Sequence, residues 1–189
     1  MKLSISIMAH PARADFFSYL KEKLGDVPMS IDDGKGLIWN CRNAWSMYDP
    51  TADYHVVIQD DAIVCENFYN LAKIVLEKAN GLPVSFFHVS PLSYKKYREQ
   101  REKTGAIIQD RLSGGVALCL PVSLIPEMLA HYDADISPFD DERVSRFLRS
   151  KKIPFYFPMP SLIDHRTGNQ SIMWHKSSPH KANEYIDRV

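Results

Sequence analysis

Cysteine is scarce: Cys41, Cys65 and Cys119 are the only three in 189 residues, all in apolar contexts and without a CxxC pair. That spacing excludes a zinc–cysteine site and predicts reduced core thiols in a cytoplasmic protein. An excess of one charge is lacking too. Lys+Arg and Asp+Glu number 23 each, for a formal net charge of +0, which argues against both a basic nucleic-acid coat and an acidic disordered tail. With 8 glycines and 12 prolines there is no low-complexity excess. No apolar run approaches the ~20 residues of a membrane span, and Met1-Lys2-Leu3-Ser4-Ile5 does not lead into the apolar stretch of a signal peptide. No GxGxxG, Walker A or GxSxG pattern occurs, against dinucleotide oxidoreductases, P-loop NTPases and serine hydrolases. Internal repeats and linker-like stretches are also missing. These absences predict one soluble intracellular domain over residues 1–189, cytoplasmic, or in the host cytoplasm if the chain is viral.

What the chain does have is core-forming material, 45% hydrophobic and 11% aromatic. A domain of this size buries roughly 70% of its unfolded surface. Leu3-Ser4-Ile5-Ser6-Ile7-Met8 alternates as a strand does and stops at His10-Pro11. Phe16, Phe17, Leu20 and Leu24 recur at helical spacing from Ala12 to Leu24, before Gly25. A short strand near Val27 to Ile31 breaks at Asp32-Asp33-Gly34. Leu37, Cys41, Ala44, Trp45 and Tyr48 mark a second helix, and Tyr54 to Ile58 is a compact apolar run typical of a central buried strand. Phe68 to Ala79 reads as a helix closed by Asn80-Gly81, and Val84 to Val89 as a strand. Such βα alternation predicts an open α/β sheet, with its ligand outside the carboxyl ends of the strands. The exits to search are His10-Pro11, Asp32-Asp33 and Gln59-Asp60-Asp61.

The second half is less regular. Residues 91–113 are polar and basic with no convincing core face. Strands are expected at Val116 to Leu120 and Ile153 to Phe157, and helices at Leu124 to Tyr132 and around Val144, Phe147 and Leu148. The tail from Gly168 onward reads as a mobile loop or a ligand-covering flap.

Gln59-Asp60-Asp61 is the sharpest chemical feature. Adjacent carboxylates repel and raise one pKa, and a divalent cation with a preference for hard oxygen ligands removes the conflict. A solvated turn or a helix N-cap explains the same residues without chemistry. Both readings stand on the sequence alone.

The stretch His55-Val56-Val57-Ile58-Gln59-Asp60-Asp61-Ala62-Ile63-Val64-Cys65-Glu66-Asn67-Phe68, after an α/β start and a helix carrying Asn40, Arg42 and Asn43, resembles the nucleotide-sugar half of GT-A glycosyltransferases, phage-type members included. The resemblance implies a single-domain, Rossmann-like open mixed sheet flanked by helices. Its nucleotide-sugar-binding half would span about residues 1–90 and its acceptor half about 91–167. The Asp60-Asp61 pair stands where that family has a DxD-like motif holding a metal on a nucleotide diphosphate, in a compact QDD form. This places Asp61 on the metal and Asp60 near the ribose or the metal's water shell. Ala9, His10, Pro11 and Arg13 resemble the loop that holds base and ribose. Asp32, Asp33 and Lys35 resemble the second strand exit that meets a pyrimidine, although a plain Gly-bearing turn fits equally. The resemblance adds Asn40 and Asn43 to the donor site. Phe139-Asp140-Asp141-Glu142 resembles the acidic segment that opens a helix, so Asp140 and Asp141 are the candidate catalytic acids, with Asp141 as base in an inverting reaction. Pro160-Ser161-Leu162-Ile163-Asp164-His165 resembles the stretch whose His completes the metal shell. Taken alone, His165 equally reads as a surface or core histidine. A mixed oxygen/nitrogen shell suits Mn²⁺ better than Mg²⁺. A UDP-sugar is the implied donor, and Lys35, Arg42 and Arg166 are equivalent candidates for added positive charge.

Residues 94–103 carry five cations, Lys95, Lys96, Arg98, Arg101 and Lys103, with Tyr94, Tyr97 and two acids among them. Basic residues interleaved with aromatics can grip DNA, including a hydroxymethylated base as acceptor. A solvated helix with Lys95–Glu99 and Arg98–Glu102 pairs is the plainer reading. A saccharide or small-molecule acceptor, a nucleotidyltransferase and a non-catalytic nucleotide-binding module are the competing functions.

Overall fold

The computed structural model describes residues 1–89, 95–112, 114–166 and 181–186, without the side chains of Lys95 and Lys96. Most of the tail from Gly168, read above as a loop or flap, and Tyr94 lie outside the described residues. The first strands are β1 (Leu3–Ala9), β2 (Met29–Ile31), β3 (Tyr54–Gln59) and β4 (Ala62–Val64). They are followed by β5 (Val84–Ser85), β6 (Ala106–Gln109), β7 (Ala117–Pro121), β8 (Phe155–Pro158) and β9 (Ile163–His165). The helices are α1 (Phe17–Leu24), α2 (Leu37–Ser46), α3 (Phe68–Ala79), α4 (Lys95–Thr104), α5 (Ile125–Ala134) and α6 (Asp140–Ser150). Seven strands form one mixed sheet in the order β2-β1-β3-β7-β5-β8-β6, and β4 pairs with β9 in a separate two-stranded ribbon. This is an open mixed α/β sheet flanked by helices. Among the described residues no helix is long and apolar enough to cross a membrane.

Strand alternation divides the core between the two faces. Ile5, Ile7 and Ala9 of β1 and Val56 and Ile58 of β3 join Leu20 and Leu24 of α1 and Phe68, Ala72 and Leu76 of α3 in one cluster. Met8 and Val57 face the other way, against Cys41, Ala44 and Trp45 of α2, Tyr132 of α5 and Phe147 of α6. The serines of β1 are compatible with burial because they bond inside the second layer. Ser6 Oγ donates to the Ala44 carbonyl at 2.9 Å and lies 3.1 Å from His55 Nε2, while Ser4 Oγ is 2.9 Å from His55 Nδ1. Desolvation lowers the His55 pKa to about 4, so the ring is a neutral member of this network.

β1 pairs in parallel with both β2 and β3. The chain crosses from β1 to β2 under α1 and returns past β1 to β3 over α2, on the opposite layer. The carboxyl ends of β1 and β3 therefore flank a point where the connection reverses direction, the place where open α/β sheets bind ligands.

Several elements depart from the sequence expectation. The helix expected from Ala12 begins as a 3-10 turn, Pro11–Phe16, with Arg13 at a non-helical φ of −118° and ψ of 22°. The strand expected over Val84 to Val89 ends at Ser85, because the Phe86 carbonyl turns to accept from Leu162 and Ile163 N–H, both at 3.1 Å. It also does not extend the parallel series: β7 lies between β3 and β5, antiparallel to both. Residues 91–113, expected to lack a core face, contain β6 with Ala106 and Ile107 buried. Four residues between Gly105 and Asp110 are too few for an alternation to show.

Phe86 is fully buried where the main sheet meets the β4–β9 ribbon, edge-on to the Phe68 ring at 5.4 Å. Phe86→Ala is expected to cost about 3–5 kcal/mol, read as a lower urea midpoint at unchanged slope. A loss below about 1 kcal/mol would show that this junction is not part of the core.

Candidate active site

Two backbone registers bring the site together. β3 delivers Asp60 and Asp61 at its carboxyl end, where Asp60 N–H donates to the Met8 carbonyl at 3.0 Å. In the β4–β9 ribbon Ala62 lies opposite His165, and Arg166 N–H donates to the Asp61 carbonyl at 2.9 Å. The result places His165 Nε2 3.1 Å from Asp61 Oδ2. From the β1 side, His10 N–H donates to Asp60 Oδ2 at 2.6 Å. Arg13 Nη1 bridges both acids, 2.8 Å from Asp60 Oδ1 and 2.5 Å from Asp61 Oδ2. Both carboxylates are only 4% exposed and the Arg13 side chain 15%. Asp60, Asp61, Arg13, His10 and His165 thus form one cluster across the gap between β1 and β3.

The two acids differ in proton affinity. Burial pushes the Asp61 carboxyl up, but the His165 hydrogen bond and the nearby His165 and Arg13 charges outweigh it and hold the pKa below the ordinary value. Burial also pushes Asp60 up, and there it prevails over Arg13 and the His10 N–H.

Asp61 Oδ1 and His165 Nδ1 are buried with no hydrogen-bond partner. An unpartnered buried carboxylate oxygen is costly and calls for a ligand. In an octahedral shell with metal–ligand distances of about 2.1 Å, adjacent donor atoms stand about 3.0 Å apart, close to the Asp61–His165 separation of 3.1 Å. Among the described residues no three His, Cys, Asp or Glu side chains converge. Two protein donors is what an ion completed by phosphate oxygens and water requires. The residues fit a divalent cation.

The other sequence-selected residues have distinct places. Ala9 is buried, and its carbonyl accepts from Asp32 N–H at 3.0 Å and from Asn40 Nδ2 at 2.8 Å. Asn40 and Asn43, selected for the donor site, bond within the fold: Asn40 Oδ1 accepts from Ser30 Oγ at 2.6 Å and Asn43 Nδ2 donates to it at 2.9 Å. Pro11 starts the turn that carries Arg13, and His10 Nδ1 caps it by accepting from Ala12 N–H at 3.1 Å. Asp32 Oδ1 accepts from Gly34 and Gly36 N–H, shaping the loop into α2. Asp33 pairs with Lys35 at 2.7 Å, and the Lys35 ammonium lies 4.2 Å from the Trp39 ring centroid.

Asp140 and Asp141 open α6, where carboxylates are favoured by the helix dipole. They join Met8, Cys41, Gln59 and Gly115 around a cavity of 10 Å³, about the least space that holds one water. Gln59 precedes Asp60, so the second acidic pair adjoins the end of β3. Burial, then the Asp141 charge, pushes the Asp140 pKa from 3.8 to about 6. Burial also raises Asp141.

One contributor, Gly115, is not evident from sequence: it stands just before the strand expected at Val116, and a Cβ on it would stand 2.7 Å from Asp141 Cβ. Of the cations left equivalent by sequence, Arg42 forms a bidentate pair with Asp133 at 2.8 Å for both contacts, and Lys35 pairs with Asp33. The Arg166 guanidinium instead rests between the Phe16 and Tyr19 rings, 4.7 and 4.4 Å from their centroids, with Nε buried and unpartnered. Tyr19 OH in turn accepts from Val64 N–H at 2.9 Å, fixing α1 to the ribbon. The adjacency of Arg166 to His165 was the available signal.

Among solved structures the chain resembles GalNAc-T7 with UDP, GalNAc and Mn²⁺, at TM-score 0.59 and 13% identity over 94% of this chain and 47% of that one. It thus spans about half the length of that structure. It also resembles A197 from STIV, at TM-score 0.55 and 16% identity over 100% of this chain and 98% of that one. A third likeness is to a glycosyltransferase involved in the glycosylation of the major capsid of PBCV-1, at TM-score 0.50 and 12% identity over 88% and 94%. No family model and no curated protein sequence matches the chain. The likeness shows the fold, which is GT-A-like.

Gly115→Ala is expected to displace Asp141 or the loop before β7, lowering any activity of the site at least tenfold while the far core stays folded, since small misplacements of reacting groups cost about 10²-fold. Unchanged turnover would separate Asp141 from the chemistry. Asp140 also has a pH signature. A carboxyl whose folded pKa exceeds its unfolded value binds more protons when folded, so its contribution to stability falls as pH rises between 3.8 and about 6. Asp140→Asn should flatten that fall in urea titrations at pH 4, 5, 6 and 7, leaving the variant at least as stable as the parent at pH 7.

Proposed function

We propose that the protein is a metal-dependent glycosyltransferase that moves a sugar from a nucleotide-sugar, a UDP-sugar by preference, to an acceptor hydroxyl. The observation that carries this reading is the Asp61–His165 pair at the carboxyl end of β3, with one oxygen and one ring nitrogen buried and unpartnered. The GT-A-like fold and one neighbour whose structure holds UDP, GalNAc and Mn²⁺ support it.

Each residue then has a role set by its surroundings. Asp61 and His165 would hold Mn²⁺ or Mg²⁺, which when bound stabilises the charge developing on the departing diphosphate. Arg166, held by two rings beside His165, would face that same charge. His10 and Pro11, with Asp60, would form the ribose side of the site, and Asp32 the base side. Asp141 would take the proton of the acceptor hydroxyl. Its raised pKa suits a base, and such a group contributes about 10²–10⁴-fold. Asp140 beside it would tune that proton affinity by its charge.

The alternatives draw less support. A nucleotidyltransferase needs a basic phosphate-gripping loop after the first strand, and here that loop, Ala9-His10-Pro11-Ala12-Arg13, carries a single arginine and no lysine. DNA is not the acceptor favoured by α4. Arg101 is ion-paired with Glu184, and Tyr97 stands edge-on to His88 at 6.3 Å, so both are engaged within the protein. A saccharide or small-molecule hydroxyl is the acceptor class we adopt.

The test is thermal stability with nucleotides and metal. UDP plus Mn²⁺ is expected to raise the melting temperature, with about 2.7 kcal/mol of added stability at a hundredfold excess over Kd. EDTA or Asp61→Asn should remove most of that gain. A response independent of metal, or none with any nucleoside diphosphate, would overturn the reading, and absence of slow UDP-sugar hydrolysis in Mn²⁺ would leave a binding module.

A further inference from the structure

The Asp61 oxygen that faces His165 at 3.1 Å, Oδ2, is the same atom that Arg13 holds at 2.5 Å. A divalent cation held between Oδ2 and His165 Nε2 would need lone pairs that Arg13 already occupies, and one bound through the unpartnered Oδ1 of the same carboxylate would still be repelled by the guanidinium. Arg13 is also carried on a movable support. The Pro11–Phe16 turn buries none of its residues and is kinked at Arg13 itself, so it can shift without opening the core. The pair Asp60–Asp61 bears two negative charges in a site that is 4% exposed, and one guanidinium neutralises only half of them.

We propose that Arg13 is an internal competitor for the divalent cation, and that a nucleoside diphosphate relieves the competition by drawing the guanidinium onto its phosphates. Arg13 is thus a positioning residue that couples metal binding to donor binding. Without a diphosphate it occupies Asp60 and Asp61 and keeps the metal affinity low. With a diphosphate the planar fork has a better partner, since guanidinium groups match phosphate geometry bidentately. Because coupling is reciprocal, metal must raise nucleotide affinity by the same factor. The proposal rests on the metal reading of Asp61 and His165.

The experiment is Mn²⁺ titration followed by the electron paramagnetic resonance signal of the free ion, with and without UDP, on the parent, Arg13→Gln, Arg13→Lys and Asp61→Asn. Without UDP, Arg13→Gln is expected to bind Mn²⁺ about tenfold tighter than the parent, a factor within the usual range for coupled sites. UDP should then enhance Mn²⁺ binding less in Arg13→Gln than in the parent. Arg13→Lys keeps the charge but loses the fork, and should fall between the two. It also carries the comparison if Arg13→Gln does not fold, which circular dichroism reports. Equal or weaker Mn²⁺ binding in the Arg13 variants, with the UDP enhancement intact, would show that Arg13 is a permanent structural partner and overturn the proposal. If the parent binds no Mn²⁺ even with UDP, or Asp61→Asn binds it as well as the parent, the metal site fails and the proposal falls with it.

Discussion

Two carboxylates on consecutive residues, both almost fully buried, impose the main constraint on this molecule. Asp60 and Asp61 cannot both stay ionised at the end of β3 without positive charge brought to them. The surrounding structure meets that demand from two segments. The turn after β1 supplies Arg13 and the His10 N–H, and β9 supplies His165, held in place as the next residue's N–H donates to the Asp61 backbone carbonyl. Each segment reaches the pair because of where a strand ends. The parallel pairing of β1 and β3 aligns their exits, and the β4–β9 register sets His165 opposite Ala62. The fold and the charge problem are thus linked: remove the ribbon or slip its register by one residue, and His165 turns away from Asp61.

How much of this was legible in the sequence depended on the length of each signal. β1, β3, α2 and α3 are long enough for alternation or helical spacing to appear, and their apolar residues do form the two cores. The strand-exit rule points to His10, Asp32 and Asp60 from sequence alone. Short elements are legible only in part: β2, β5 and β8 overlap stretches expected as strands, with different bounds. β4, β6 and β9 have three or four residues, and pairing rather than periodicity makes them strands. β7 is legible as a strand but not as the neighbour of β3, because strand order is a property of the whole sheet. Of the site, the acid pairs and His165 stood out by type and placement. The convergence of Arg13 on both acids did not, since it depends on a kinked turn rather than on spacing.

Tertiary pairing also sorts the cations that composition cannot distinguish. A chain with 23 positive and 23 negative side chains offers many salt bridges, and most exposed ones contribute little. Arg42 and Lys35 are such cases, each matched to a nearby acid on the surface. Arg166 differs because aromatic faces hold it. A guanidinium stacked on Phe16 and Tyr19 keeps its charge and its orientation, whereas one paired with a carboxylate has its charge already neutralised. The residue after His165 is therefore a positive group held by ring faces rather than by a carboxylate.

The two acidic pairs look alike in sequence and diverge in environment, and that divergence is the strongest physical argument for a division of labour between them. Contacts with His165 and Arg13 hold Asp61 ionised against the effect of burial. Among the described residues no such cation acts on Asp140, which interacts with the Cys41 thiol and the Asp141 carboxylate, so burial raises both of these acids. A carboxylate that resists protonation suits holding a cation, and one with raised proton affinity suits receiving a proton near neutral pH. Gly115 lets the second pair approach the end of β3, because any side chain there would collide with Asp141. The close backbone approach at one glycine thus sets an acidic pair of raised proton affinity around the same small cavity as Gln59, the residue before Asp60.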